Sequence, residues 1–499
     1  MQYLRPVPID PRTPVVVGVG QSLRKPDGVE GLSEPVDMMV DVLRVAAEDA
    51  GAPSLLARAE SVRVVDLLSW GYRNAPALLA ERVGATNVRP GQLIQSTVGG
   101  NSPQLLVNDA AAAIGAGQLD VVLIAGAETV YSRMLAGRAG HALDWTSQPA
   151  EVPPPERLGI DRPGTSDAES AHSLMLPTQV YPIFENALRA AAGESFDEHQ
   201  AKIAGLWSRF SAVASTNPYA WSPEFRAPDE IATVTPDNRM IGFPYPKLMN
   251  ANIQTDQAAA LIVCSVAAAR AAGVPEDRWV FPWAGADAHD HWFISDRESL
   301  SASPAIFACG QAVYDAAGVS ADAIAHVDVY SCFPSAVQIG AAALRLPLDD
   351  PSRPLTVTGG LTFAGGPGNN YVTHSIATMV DVLRRDPDSL GMVTALGWYV
   401  TKHAVGVYST QPPPRRFVAR SVQEEVDAQP RRSRATEYDG PAIIESFTVM
   451  HERDGSPSLA IVACLTPDGD RTWINSSDAD VMKALTTEDL IGRDSAEVR

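Results

Sequence analysis

From Pro14 onward, short apolar runs rich in β-branched residues alternate with Ala- and Leu-rich stretches of helical period. The run Val15-Val16-Val17-Gly18-Val19-Gly20 has no polar break, as a strand covered on both faces requires. Spacing then predicts a helix over 35–50, a strand near 62–68, a helix over 75–83 and a strand over 93–97. A helix at 103–116 and a strand at 121–126 complete the first series. Such alternation implies an α/β protein with a parallel, doubly covered sheet. The rhythm is lost between 131 and 255, where proline-rich loops and scattered Trp and Tyr surround one predicted helix near 181–192. It resumes at Ala258–Val266 and runs to Thr410.

The second half repeats the first. Gln92–Gly100 (QLIQSTVGG) predicts a strand, a Gly-Gly turn and a helix. Leu355–Pro367 (LTVTGGLTFAGGP) predicts the same, with Gly365-Gly366 in the matching place. Each is followed by an apolar strand, 121–126 and 392–397. A repeat on the order of 130 residues marks a duplicated fold, because solenoid repeats are shorter. After Thr410, Pro412-Pro413-Pro414-Arg415-Arg416 has the composition of a linker. Beyond Pro430, strand-like segments at 442–450, 458–465 and 471–474 predict a small antiparallel β domain, with turn signals at Asp454-Gly455 and Asp468-Gly469.

Charge and cysteine usage narrow the function classes. The 499 residues carry 39 Lys+Arg against 59 Asp+Glu, a formal net charge of −20. An acidic chain lacks the basic surface that nucleic acid requires, although a few local donors can hold an anionic small molecule. The apolar stretch 258–269 is too short to span a bilayer, and Met1–Pro6 opens no apolar run of signal-peptide length. Cys264, Cys309, Cys332 and Cys464 lie far apart with no CxxC pair, which fits reduced thiols. The expectation is a soluble cytoplasmic protein.

Several local patterns carry little chemistry. Gly18-Val19-Gly20 lacks the third glycine of a dinucleotide fingerprint, since Leu23 stands there, so a strand-ending turn is expected. Asp287-Ala288-His289-Asp290-His291 places Asp287, His289 and His291 at alternate positions that share a face on an extended segment, but no other His/Cys pair has ligand spacing. A polar loop is expected there rather than a metal site. The two Gly-Gly turns matter more. Glycine lets a ligand approach the backbone, and the following helix aims free N–H groups and its positive end at the turn. That suits a carbonyl or thioester oxygen that gains negative charge; close helix–strand packing is the alternative. Tyr330, His374 and Lys402-His403 fall at predicted strand ends or early in the second Gly-Gly helix, where ligands of α/β sheets gather. Histidine there is a candidate base and tyrosine a candidate acid or oxyanion donor. Cys332, beside Phe333 and Pro334, is expected to be a buried small hydrophobe rather than a thiolate.

Taken in order, Asp120–Glu128 (DVVLIAGAE), Asp256–Cys264 (DQAAALIVC), Tyr330–Phe333 (YSCF) and Gly359–Pro367 (GGLTFAGGP) resemble the thiolase superfamily. With the duplicated halves, the likeness is to the sterol-carrier-protein-type thiolases, of the acetyl-CoA acetyltransferase class, over residues 12–410. The resemblance implies two βαβαβαββ halves with an inserted loop domain. On that plan 1–128 begins the first half, 129–255 is the insertion, 256–411 completes the core, and 412–499 is a linker plus a small OB-like β domain. It also implies CoA or an acyl-CoA thioester as substrate or ligand, no tightly bound cofactor, no metal, and a role in lipid or sterol metabolism.

The departures are as informative. By the resemblance, the family's nucleophilic cysteine falls at Gly100 and the histidine of its Gly-His-Pro motif at Gly366. Tyr330 stands where an asparagine or histidine opens its Asn-Glu-Ala-Phe-type motif, and the late cysteine has no counterpart around 396–399. Without a thiolate at position 100 no acyl-cysteine forms. The candidate catalytic residues are therefore His403, His374 and Tyr330. Gly100, Asn101, Gly366, Cys332 and Tyr399 are the candidate oxyanion or substrate pocket. Three readings follow: an acyl-CoA-binding thiolase-like protein of the acetyltransferase class by descent, a cysteine-independent retro-aldolase on β-hydroxyacyl-CoA, or a non-catalytic acyl-CoA binder or scaffold. The aldolase reading draws on cysteine-free thiolase-like aldolases, which carry a tyrosine where Tyr330 stands and work with a partner containing an oligonucleotide-binding-type barrel. Lys247, Arg209 and Arg226 are candidates for the CoA phosphates. Pairing through the strand 93–97 would give a homodimer, and a monomer stands beside it as the alternative.

Overall fold

Strands form where most of the apolar runs predict them. The computed structural model describes residues 9–497, so the reading of Met1–Pro6 lies outside the described residues. The first half supplies β1 (Pro14–Leu23), β2 (Ser61–Val64), β3 (Leu93–Ser96), β4 (Val121–Thr129) and β5 (Glu156–Leu158). The inserted region adds β6 (Met240–Gly242) and β7 (Tyr245–Pro246), and the chain returns through β8 (Asp256–Ser265). The second half supplies β9 (Phe281–His289), β10 (His326–Asp328), β11 (Leu390–Gly397), β12 (Lys402–Ser409) and β13 (Ala419–Ser421). Last come β14 (Ile443–His451), β15 (Pro457–Leu465) and β16 (Arg471–Ser476).

These strands form three sheets, ordered β1-β8-β4-β2-β3-β5, β10-β11-β12-β9-β13 and β16-β15-β14-β6-β7. The expected parallel sheet is in fact mixed. β2, β3 and β4 run parallel, while β8 lies antiparallel between β1 and β4 because the chain re-enters from the insertion at the end where β4 leaves the sheet, with Asp256 opposite Thr129. The helices Ser102–Gly115 and Tyr371–Arg385 lie between the first two sheets, and Pro35–Asp49 and Pro304–Ala317 cover their outer faces. The stacking is helix–sheet–helix–sheet–helix.

A helix buried on all sides must satisfy its polar side chains. Gln104 donates to Asn108 Oδ1 at 2.8 Å and accepts from the Tyr408 hydroxyl at 2.9 Å. Asn108 in turn faces the backbone carbonyls of Ala286 and Val405 in the second sheet.

Four local expectations are corrected. Gly18 and Gly20 lie within β1 rather than in a turn that ends it; a Cβ at either would fall 2.0 Å from a carbonyl of the helix Pro35–Asp49, which rides on bare backbone there. No strand forms over 355–358, because Val357 N–H and the Thr356 hydroxyl donate to the buried Asp328 carboxylate instead of to a neighbouring strand. Asp287 and His289 belong to β9, and Asp290 is buried with Ser303 and Ala305 as donors, so this stretch is a strand end and not a solvated loop. The proline run after Thr410 leads back into the core, where β13 pairs with β9.

The inserted region contains a further long helix, Phe196–Ala214, whose capping box Ser195–Glu198 was a legible start signal. β14, β15 and β16 form the expected antiparallel β unit as a meander. It is extended by the insertion, since β6 pairs with β14 at Met450–Gly242. Among the described residues no helix is long and apolar enough to cross a membrane.

Candidate active site

One cavity of about 580 Å³ opens between the Val98–Gly100 turn, the start of the helix Pro177–Ala192, residues 366–369 and the hairpin joining β11 to β12. Tyr181, Tyr330, Phe333, Trp398 and Tyr399 give its wall an aromatic part. Tyr181 and Phe333 stack with centroids 4.5 Å apart. Leu68, Met175, Leu176 and Ile253 also line it, and each is more than half exposed. Apolar side chains left in water around a concave apolar site mark a place where an apolar group is received.

The Gly-Gly turn of the first half forms part of the wall. Gly99 adopts φ 142°, a conformation that favours glycine, and its carbonyl accepts the Ser102 N–H that opens the inner helix. Gly99 N–H donates to Asn369 Oδ1 at 2.9 Å, and Asn369 Nδ2 donates to the Asp66 carbonyl at 2.9 Å. Beneath the turn Lys402 Nζ donates to the Val98 carbonyl and reaches the Ile160 carbonyl at 3.4 Å.

At Gly100 the space for a side chain is taken. A Cβ there would lie 2.3 Å from the Tyr330 hydroxyl and 2.6 Å from the Leu396 carbonyl. The phenol of Tyr330 therefore occupies the position from which a residue 100 side chain would act.

The ionisable groups on the cavity wall all resist ionisation. Burial pushes the Tyr330 and Tyr181 phenols well above their ordinary value. Burial pushes the Cys332 thiol up to about 12 and the Tyr399 phenol to about 12 as well. These groups donate hydrogen bonds at neutral pH but supply neither thiolate nor base. Behind the wall, burial lowers Lys402 to about 8.

The sequence candidates divide accordingly. Gly100, Gly366, Cys332, Tyr330 and Tyr399 line this one cavity. Asn101 does not; its side chain lies against Gly99 and Gly397, where a Cβ would come within 2.5 Å of Oδ1. His403 is buried with Nε2 3.2 Å from Asp290 Oδ2 and borders a separate small void. Hydrogen bonds from His403 and Ser303 hold the Asp290 carboxyl below its usual range although burial pushes it up. His374 stands in the first turn of Tyr371–Arg385, its Nδ1 2.9 Å from Gln21 Oε1, and borders another small void. Burial lowers its imidazole to about 3, which makes it a weak base.

Among the basic candidates, Arg209 is engaged with the Leu348 carbonyl and Arg226 faces Glu230 at 3.8 Å, while Lys247 is exposed.

Sequence reasoning passed over Asn369, Tyr181 and Trp398, and of the Lys402-His403 pair it gave the role to the histidine. Consecutive strand residues face opposite ways, so Lys402 and His403 could not both approach the Gly-Gly turn, and the lysine is the one that does. Tyr181 lies in a predicted helix with nothing local to distinguish it from core. Trp398 and Val400 have φ of 58° and 52°, a left-handed conformation costly for side chains of this size. They are held there by Tyr181, whose hydroxyl donates to the Trp398 carbonyl at 2.8 Å and accepts from Val400 N–H at 3.3 Å.

Residues 421–499 match the family model of the thiolase-like protein type 1 additional C-terminal domain. Among solved structures, the chain is similar to a monomeric SCP2-thiolase-like protein type 1 from Mycobacterium smegmatis, with 34% identity and a TM-score of 0.83 over 97% of this chain and 96% of that one. It shares the fold of the Ltp2-ChsH2(DUF35) aldolase at 17% identity, TM-score 0.61, over 80% of this chain and 99% of that chain. It likewise resembles the dimeric peroxisomal thiolase of Saccharomyces cerevisiae at 14% identity, TM-score 0.55, over 81% and 98%. No curated protein sequence matches the chain.

Proposed function

Because the chain belongs to the SCP2-thiolase-like proteins of type 1, within the thiolase superfamily, we propose that it binds a CoA thioester in this cavity without forming an acyl-enzyme. The observation that carries the reading is the filling of position 100 by the Tyr330 phenol, in a cavity otherwise lined by apolar and aromatic groups. The acyl portion lies against Tyr181, Phe333 and Leu361, and the thioester carbonyl accepts from Tyr330, which stays protonated at neutral pH. The exposed apolar rim favours a bulky or long acyl group over acetyl, in keeping with lipid or sterol metabolism. With His403 and His374 outside the cavity and every ionisable wall group held protonated, the binder reading is favoured over acyl transfer and over retro-aldol cleavage. The M. smegmatis relative is described as monomeric, and the same state is proposed here.

Calorimetric titration with CoA, acetyl-CoA and a long-chain β-hydroxyacyl-CoA tests the reading, with mass spectrometry of each mixture. The expected result is binding that tightens with acyl size and leaves every thioester intact. Cleavage of the β-hydroxyacyl-CoA would replace the binder by a lyase, and a mass increase on the protein would restore covalent acyl transfer. Absence of binding by any of the three would overturn the proposal.

A further inference from the structure

The left-handed residues of the β11–β12 hairpin are held from one side by Tyr181 and from the other by a buried arginine. Arg297 Nη1 donates to the Tyr399 carbonyl at 2.7 Å, and Nη2 donates to Thr401 Oγ1 at 2.8 Å. Its guanidinium is itself buried, so its place must be imposed by its surroundings.

The imposition comes from the C-terminal unit. Arg471 in β16 is buried, forms a forked pair with Glu445 at 2.6 Å for both bonds, and spends its remaining nitrogen on the carbonyls of Ile294, Ser295 and Arg297 at 2.9, 3.2 and 2.6 Å. Trp473 Nε1 donates to Ser295 Oγ at 2.9 Å. Arg434 pairs with Asp296, and Arg432 N–H donates to the Asp296 carbonyl at 2.9 Å. The 294–297 turn is thus gripped through its backbone by the unit that follows the thiolase core.

We infer that Arg471 and Arg297 are positioning residues: through the 294–297 turn, the C-terminal unit sets the left-handed conformation of the hairpin that forms the cavity wall. Arg471 fixes the backbone of Arg297, and the Arg297 fork fixes Tyr399 and Thr401. A planar five-donor fork can meet several carbonyls at once, which a lysine ammonium cannot reproduce in the same geometry. Among the described residues no part of the C-terminal unit lines the cavity itself, so its hold on the cavity wall runs through the 294–297 turn. From the preceding proposal the inference takes only that this cavity is the ligand site.

Hydrogen–deuterium exchange on the ligand-free full chain tests it whether or not a CoA thioester binds. Arg297→Ala and Arg471→Ala are both expected to speed exchange in the peptide spanning 398–402 by at least about tenfold. Arg82→Ala, which removes a surface pair with Asp37, is the control and should leave that peptide unchanged. Arg471→Lys, which keeps the buried cation, is expected to give an intermediate rate, and it decides the matter if Arg471→Ala fails to fold. Faster exchange at 294–298 with 398–402 unchanged in Arg471→Lys and Arg471→Ala would overturn the inference. If the exchange result stands while acyl-CoA fails to bind, the fault lies with the proposed ligand and not with the coupling.

Discussion

At the residue scale, position 100 has no room for a side chain, and one substitution there does not make it. Introducing Gly100→Cys places the new Cβ within 2.3 Å of the Tyr330 hydroxyl. Overpacking of this kind costs about 2 kcal/mol, so a lower urea midpoint and slow alkylation of the new thiol by iodoacetamide are expected. The double variant Gly100→Cys/Tyr330→Ala should expose the thiol to alkylation without regaining stability, because the buried phenol is lost and the Leu396 carbonyl still stands 2.6 Å from the new Cβ. Lys402 carries a second prediction. Its pKa is about 8 in the folded chain against an ordinary 10.5. Between these values the unfolded chain holds a proton that the folded chain has released, so this group's contribution to stability rises with pH there. Relative to Lys402→Met, the wild type should gain up to about 3 kcal/mol from pH 8 to 10.5, measured by urea unfolding across that range.

Elements decide which surfaces remain open to other chains. In the first sheet β3 would be an edge strand able to pair with a second copy, but β5 lies on it with Ile94, Gln95 and Ser96 opposite Glu156, Arg157 and Leu158. Thr97 N–H is also taken, by the Leu158 carbonyl. An edge already paired offers no free ladder groups. Light scattering should therefore give the mass of a single chain. Replacing residues 156–158 by Gly-Ser-Gly should loosen the cap and produce concentration-dependent self-association; a variant that stays monomeric would show that β5 is not what blocks the edge.

For the whole molecule, the third sheet joins two stretches of chain that are far apart in sequence. β6 and β7 come from the insertion, and β14, β15 and β16 from the C-terminal unit. Asn186 of the helix Pro177–Ala192 donates to the Phe447 carbonyl at 2.9 Å, and the Ser446 hydroxyl donates to the Ile183 carbonyl at 2.6 Å. Buried side-chain bonds of this kind lose their partners together when either part opens. Peptides from 240–249 and 443–476 should accordingly lose exchange protection at the same urea concentration. Separate midpoints would mean that the two parts open independently.

The sequence by itself determined the layered α/β core, the first Gly-Gly turn, the antiparallel C-terminal unit and five residues that meet in one cavity. Each of these leaves a local trace: apolar periodicity, glycine at a forced backbone conformation, or a polar residue at a strand end. Only the tertiary structure decided which face each residue shows. His403 and Lys402 are neighbours in β12, yet the pleat sends the lysine beneath the Gly-Gly turn and the histidine to Asp290. His374 is likewise turned toward Gln21. The grip of Arg471 on the 294–297 turn, the hold of Arg297 on the hairpin and the cap of β5 on β3 were invisible for a related reason. They are contacts between segments tens to hundreds of residues apart, made through backbone carbonyls and amides that every residue possesses, so no side-chain pattern announces them.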